Sequence, residues 1–185
     1  AISVVNGTAG LHLAIKAIGV KENEEILVPS LTFVGTCNAI IYANAIPHFV
    51  DSSLKTYGVD HNKLEKYLLN NIKIINGHCY NKNSKRKIKA IIVVHLFGHP
   101  AKIDSLTTLA KKYKLKIIED AAESIGSFYK GKHTGTFGHL GVISFNGNKS
   151  LTTGGGGVII TNSNNLAKKI KFLSSTSKIK HQYKY

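Results

Sequence analysis

Short apolar runs alternate with amphipathic stretches along most of the chain, and this alternation restricts the fold more than any other feature. Residues 25–28, 46–50 and 90–95 are apolar runs with the length and composition of buried strands. Residues 8–18 and 103–113 instead repeat their apolar side chains at helical spacing. Strands that alternate with helices in this way predict an α/β domain around a mostly parallel sheet.

The remaining segments continue the same alternation. Asp60 is placed to cap a helix that carries Leu64 and Leu68 on one face. Residues 70–87 have no periodicity and are rich in Asn, Lys and Gly, which predicts a surface excursion or hairpin within one domain. Further strands are predicted at 115–118, 142–145 and 158–160, and further helices at 33–42 and 165–173.

Composition is that of a globular protein without a membrane span. Hydrophobic residues make up 43% and charged residues 19% of the chain. No apolar run approaches the roughly 18 residues that a membrane span needs. The two cysteines cannot form a disulfide framework, which favours the cytoplasm. Methionine is absent even at position 1, so we expect a piece of a longer protein, with residues 1–185 as one domain.

The charge balance leaves two interpretations open. The chain carries 25 Lys and Arg against 10 Asp and Glu, a formal net charge of +15, which is compatible with a nucleic-acid-binding domain. However, Arg86 is the sole arginine, and arginine is the side chain that best reads bases and holds phosphates. A solvated, lysine-rich surface is therefore favoured. Acidic residues are scarce, and three of the ten, Glu119, Asp120 and Glu123, lie within five residues of one another.

A glycine-containing helix start is the first candidate binding site. Gly7, Thr8 and Ala9 open the first predicted helix, where free backbone N–H groups and the Thr8 hydroxyl suit a phosphate. Glycine would let the anion approach the backbone closely. The alternative is an ordinary capped helix start.

Asp120 follows a predicted strand, at the edge where open α/β sheets bind ligands. A carboxylate there could pair with a cationic ring nitrogen or a metal, or could cap the following turn. No His or Cys cluster has the spacing of metal ligands, which disfavours the metal. His95 and His99, after another strand, are interpreted as hydrogen-bonded polar residues rather than general bases.

Lys149 lies between Ser144 and the tetraglycine at 154–157. A lysine amine forms a Schiff base with a carbonyl cofactor when it is desolvated, and glycines let the backbone lie close to a ligand. The lysine precedes the glycines, so the segment is not a nucleotide-binding P-loop. The alternative is a flexible glycine turn with a solvated lysine.

Several of these motifs, in this order and over nearly the whole chain, resemble the DegT/StrS family. Members are pyridoxal-phosphate (PLP) sugar aminotransferases with the fold of aspartate aminotransferase. The form of the lysine motif and the excursion at 70–87 are most similar to enzymes that aminate UDP-linked 4-keto sugars in legionaminic-acid-type pathways. The motifs that carry the resemblance are Gly7-Thr8-Ala9, Thr32-Phe33, residues 119–124, residues 144–149 and residues 152–157.

The resemblance implies a role for each candidate residue. Lys149 would bind PLP as a Schiff base and carry the proton in the reaction, and Asp120 would pair with the pyridinium nitrogen. Phe33 would stack on the cofactor ring, and Glu123 would lie near the ring hydroxyl, where many relatives carry Gln. The phosphate cup would be formed by Gly7, Thr8, Ala9 and Ser144.

The resemblance also implies a fold and an activity. The fold would be a fold type I large domain, a three-layer α/β/α sandwich around a mixed, mainly parallel sheet. The activity would be transfer of an amino group, from glutamate, to a keto group of a nucleotide sugar by a cytoplasmic homodimer. Lys149 favours transamination over sugar dehydration, in which histidine replaces the lysine. A non-catalytic nucleic-acid-binding domain and a PLP-binding regulatory remnant are the alternatives.

Overall fold

The apolar runs predicted as strands pair side by side in one nine-stranded sheet in the computed structural model, which describes residues 1–175. The strands within that range are β1 (Ile2–Val4), β2 (Glu25–Pro29), β3 (Ile46–Val50), β4 (Ile72–Ile75), β5 (His78–Asn81), β6 (Lys87–Val94), β7 (Lys116–Asp120), β8 (Phe128–Tyr129), β9 (Lys132–His133), β10 (Leu140–Ser144) and β11 (Gly157–Ile160). The helices are α1 (Gly7–Ala17), α2 (Val34–Tyr42), α3 (His61–Asn71), α4 (Ile103–Lys112) and α5 (Asn164–Ser174).

The sheet is mixed but mainly parallel, as predicted. Its order is β1-β11-β10-β7-β6-β2-β3, in which the five strands from β10 to β3 run parallel to their neighbours. Strands β11 and β1 are antiparallel and form one edge. The carboxyl ends of β10, β7, β6 and β2 therefore lie along the same edge of the sheet.

Alternating side chains of β2, β6 and β7 enter two separate cores. In β6, Ala90, Ile92 and Val94 pack in the core that contains residues of α1, α2 and α5. Ile91 and Val93 point the other way, into the core that contains residues of α3 and α4. Helices therefore cover both faces of the sheet, and the predicted three-layer α/β/α sandwich is confirmed.

The predicted excursion at 70–87 is a β4–β5 hairpin that pairs with the start of β6. The buried carboxylate of Glu25 anchors it by accepting hydrogen bonds from the Asn81 side-chain amide at 3.0 Å and from the Ser84 hydroxyl. His48 contacts the same carboxylate at 2.7 Å. The hairpin is thus part of the domain and is not a linker.

Two differences from the predicted elements have simple causes. Strand β6 begins at Lys87 because its first residues pair with β5, which extends it before the apolar run. Strand β7 continues through Asp120, so this aspartate is the last residue of a strand. Among residues 1–175, no helix is long and apolar enough to cross a membrane.

Candidate active site

All predicted site residues except Ala9 line one cavity of about 250 Å³ at the carboxyl edge of the sheet. The cavity lies where β6, β7 and β10 end and where α1 and α2 begin. Its lining contains Asn6, Gly7, Thr8, Leu11, Thr32, Phe33, Gly35, Thr36, Val94, His95, Leu96, Asp120, Ala122, Glu123, Ser144, Asn146, Asn148 and Lys149.

The first turn of α1 forms one wall of the cavity. Asn6 caps this helix, and its side-chain oxygen accepts the backbone N–H of Ala9 at 2.8 Å, so that amide is already engaged. Gly7 packs closely against β10, because an added Cβ would lie 3.0 Å from Cβ of Ser144. Gly7, Thr8 and Ser144 therefore form a narrow corner at a helix N-terminus, which suits an anion.

Asp120 lies at the bottom of the cavity and is only 6% exposed. Its Oδ2 accepts the Thr36 hydroxyl at 2.7 Å, and its Oδ1 accepts the Ala122 N–H at 3.2 Å. Burial raises the pKa of Asp120 above its ordinary value, against the lowering effect of these two hydrogen bonds. The contact with Ala122 is the turn cap considered above, but the buried charge still favours a cationic partner.

Lys149 reaches the same cavity from the loop after β10. Its Nζ lies 3.0 Å from Oε1 of Glu123 and 5.6 Å from the centroid of the Phe33 ring, and its side chain is 11% exposed. The second Glu123 oxygen accepts the Phe97 N–H at 2.9 Å. Desolvation would raise the pKa of Glu123, but the hydrogen bonds from Lys149 and Phe97 outweigh it and lower that pKa.

The tetraglycine returns the lysine loop to the sheet. The Phe145 N–H donates to the Gly156 carbonyl at 2.9 Å, and the Thr153 N–H donates to the Phe145 carbonyl at 3.1 Å. Gly154 and Gly156 have φ values of 80° and 118°, which glycine adopts far more readily than other residues. The glycines thus close a tight loop between β10 and β11, and Lys149 lies within that loop.

A buried pair of His95 and Glu119 supports the cavity from below. The Nδ1 of His95 accepts the Ala101 N–H at 3.1 Å, so its proton is on Nε2, which donates to Glu119 at 2.9 Å. Glu119 also accepts backbone N–H groups of Gly135, Phe137 and Gly138 at 2.6–2.8 Å. The interpretation of His95 as a hydrogen-bonded polar residue agrees with these contacts.

Sequence reasoning missed Thr36, Asn146 and Asn148 as lining residues. Thr36 lies in the first turn of α2, and its hydroxyl lies 2.8 Å from that of Thr32, which precedes the helix. The two asparagines lie within the lysine motif, and the Asn146 side-chain amide donates to Asn148 at 3.0 Å.

The residues of this cavity fit PLP. A glycine corner at a helix N-terminus suits its phosphate, a buried carboxylate suits its ring nitrogen, and a desolvated lysine amine suits its aldehyde. Within the described part of the chain, no group of three or more His, Cys, Asp or Glu side chains is arranged to hold a metal ion. The fold and the arrangement of the site resemble the large domain of fold type I PLP-dependent enzymes.

The chain belongs to the DegT/DnrJ/EryC1/StrS aminotransferase family, whose family model matches residues 1–185. It is 43% identical over 166 residues to a GDP-perosamine synthase of Escherichia coli O157:H7, covering 90% of this chain and 41% of that protein. It is 41% identical over 181 residues to EpsN of Bacillus subtilis (strain 168), described as a putative PLP-dependent aminotransferase, covering 96% and 43% of the two chains.

A solved structure agrees with the family assignment. The chain matches a DegT DnrJ EryC1 StrS aminotransferase from Brucella abortus with a TM-score of 0.86 and 33% identity, over 99% of this chain and 47% of that one. The predicted family and fold class are therefore confirmed. The chain spans less than half the length of each of these three proteins.

Proposed function

We propose that the protein containing this chain is a PLP-dependent aminotransferase that transfers an amino group from glutamate to a keto group of a nucleotide-activated sugar. The observation that carries the proposal is the convergence of Lys149 and Asp120 on one cavity at the carboxyl edge of the sheet. Family membership and PLP-dependent relatives support it.

Lys149 is the residue placed to bind the cofactor and to move protons. Its amine lies in the cavity, largely shielded from solvent, and Glu123 orients it. With PLP bound, Nζ would be the group beside the cofactor that takes up and returns a proton. Phe33 lies beside the amine and would cover one face of the bound ring.

Asp120 is placed to keep the ring nitrogen of the cofactor protonated. Its buried carboxylate would form a charge-assisted hydrogen bond with that nitrogen, and the low local dielectric would strengthen the pairing. When bound, PLP supplies an electron sink for the bond-breaking step. The chain's own contribution would be to bind the ring nitrogen and the phosphate of the cofactor at two fixed points of the cavity and to supply the Lys149 amine at a third.

The proposal extends to the nucleotide that is linked to the sugar substrate. The lysine motif and the excursion at 70–87 favour a UDP-linked 4-keto sugar, whereas the relative from E. coli O157:H7 is a GDP-perosamine synthase. Both nucleotides therefore belong in the test.

We also propose that the intact protein is a homodimer. Val34, Ile41 and Tyr42, on the outer side of α2, are 52–60% exposed, and Phe33 at the mouth of the cavity is 64% exposed. Apolar side chains grouped on one helix next to the site are typical of an interaction surface. Sedimentation of the intact protein tests this proposal, and a monomer at every concentration would contradict it.

The activity is tested on the intact protein. It is incubated with PLP, ¹⁵N-amino-labelled glutamate and a panel of UDP- and GDP-linked 4-keto sugars, and the products are analysed by mass spectrometry. We expect one sugar nucleotide to gain a ¹⁵N amino group, and Lys149→Ala to abolish the gain.

Two outcomes would separate the alternatives. PLP binding without turnover on any sugar would favour a regulatory PLP-binding protein. No PLP binding, together with nucleic-acid affinity that falls steeply with salt, would favour the basic binding domain.

A further inference from the structure

Two threonine hydroxyls form a relay that ends on Asp120. The Thr36 hydroxyl donates to Oδ2 of Asp120 at 2.7 Å, and its oxygen lies 2.8 Å from the Thr32 hydroxyl. A threonine has a single hydroxyl proton, and that of Thr36 is used on the carboxylate. The proton between the two threonines must therefore come from Thr32, which fixes the direction of the relay as Thr32 to Thr36 to Asp120.

The relay lies in a buried part of the site, where an ionised side chain is energetically unfavourable. Thr36 is 1% exposed and Asp120 is 6% exposed, so removal of the hydroxyl would leave Oδ2 of a buried carboxylate without its side-chain donor. The groups that act on the carboxylate are His95 at the end of β6, Lys149 on the loop after β10, Thr36 on α2 and the Ala122 N–H of the following turn. Burial raises the pKa of Asp120, and the relay opposes that effect.

Local packing fixes the position of Thr36. Gly35 lets the first turn of α2 approach α1, because an added Cβ would lie 2.8 Å from the Thr8 hydroxyl oxygen. Phe33, which lies beside Lys149, precedes the same turn. The start of α2 thus contributes to both the lysine end and the aspartate end of the cavity.

We propose that Thr36, with Thr32 behind it, is a positioning residue that holds Asp120 ionised and in a single orientation toward the cationic nitrogen of the bound cofactor. The orientation toward a cofactor rests on the proposed function. The effect on Asp120 itself does not, because the relay is complete within the protein. Thr36 acts only through Asp120 and does not take part in bond making.

The test measures Asp120 directly in the intact protein without cofactor. The ¹³C carboxyl resonance of Asp120, assigned by its loss in Asp120→Asn, is followed against pH. Thr36→Val removes the donor with almost no change in volume, and we expect the midpoint to rise by about one pH unit or more. Thr36→Ser should restore the wild-type midpoint, and Thr32→Val should raise it by less.

The matched control is Thr107→Val, because the Thr107 hydroxyl donates to the Ile103 carbonyl on α4 and is not part of the relay. It should leave the midpoint unchanged. An unchanged midpoint in both Thr36→Val and Thr32→Val would overturn the proposal. Should Thr36→Val fail to fold, the Thr32→Val titration decides, and an unchanged midpoint in that variant would overturn the proposal.

A second measurement separates this proposal from the proposed function. PLP is titrated into the wild type and the variants, and the pH dependence of the cofactor absorbance is recorded. A wild type that binds no PLP would refute the proposed function and the cofactor-directed part of the relay, whatever the carboxyl titration shows. PLP binding with unchanged absorbance profiles in Thr36→Val would overturn the positioning role alone.

Discussion

The amine of Lys149 and the carboxylate of Glu123 lie 3.0 Å apart, and the same carboxylate holds the backbone N–H of Phe97 with its second oxygen. Glu123 thereby connects the lysine loop to the turn that follows β6. Phe97 has a φ of 53°, a left-handed conformation that a bulky residue adopts at a cost. The hydrogen bond from its N–H to Glu123 helps to hold that conformation.

Glu123→Ala is expected to release the Phe97 amide, whereas Glu123→Gln should still accept its hydrogen bond. We predict that hydrogen exchange of the Phe97 amide accelerates by about tenfold or more in the alanine variant, since a hydrogen bond to a charged group contributes roughly 1.5–3 kcal/mol. NMR exchange measurements on the intact protein check this prediction. Equal exchange rates in wild type and Glu123→Ala would show that Glu123 does not order this turn.

Glu119 should contribute to stability in a pH-dependent way. Burial opposes its ionisation, but the hydrogen bonds from His95 and from the N–H groups of Gly138 and Gly135 outweigh burial and lower the pKa of Glu119. A carboxylate with a lowered folded-state pKa stabilises the fold above its unfolded pKa of about 4.3, and this contribution is lost as the pH falls through the folded value.

We therefore predict that Glu119→Gln lowers the free energy of unfolding at pH 7 by about 2 kcal/mol or more, and by less in acid. Denaturant unfolding across pH measures both values. Glu65→Gln is the control, because Glu65 is about half exposed and its Lys112 partner lies 3.5 Å away. A loss for Glu119→Gln that does not change with pH would contradict the electrostatic account.

Gly10 is predicted to be essential for the contact between α1 and β10. An added Cβ would lie 2.8 Å from a methyl carbon of Val142, so Gly10→Ala should cost about 1–3 kcal/mol of overpacking. This cost exceeds the gain of about 1 kcal/mol in helix propensity. Gly155→Ala, whose Cβ would meet no heavy atom within 4 Å, is the control. Equal unfolding free energies for the two variants would refute the packing argument.

Asp120→Asn should lower the activity through the loss of one charge. Burial raises the pKa of Asp120, and the hydrogen bonds from Thr36 and the Ala122 N–H favour its charged form. We predict at least about a tenfold loss of aminotransferase rate, from the loss of a charge-assisted contact. Wild-type activity in the variant would show that Asp120 only caps the following turn.

Much of the sheet could be predicted because successive side chains of the strands are buried on opposite faces of the sheet. Ile26 and Val28 enter one core and Leu27 the other, which gives β2 its continuous apolar run. Strand β1 was missed because three residues carry no recognisable period. Its pairing of Ile2 with Ile159 depends on the closure of the whole domain.

Site residues could be predicted where a residue of that type, in that sequence context, seldom has a purely structural role. Lys149 before the glycines and Asp120 at a strand end are of this kind, although their roles stay predictions. Thr36 was missed because its contact joins residues 84 positions apart. Ala9 was placed in the phosphate cup, but its N–H is held by Asn6 and it does not line the cavity.

The most direct test of the central claim is the position of the covalent cofactor bond. The intact protein is incubated with PLP, reduced with borohydride, digested and mapped by mass spectrometry. We predict that the reduced cofactor is found on Lys149 and that Lys149→Ala carries no label. Label on a different lysine of the wild type, or no label at all, would contradict the assignment of this cavity as the PLP site.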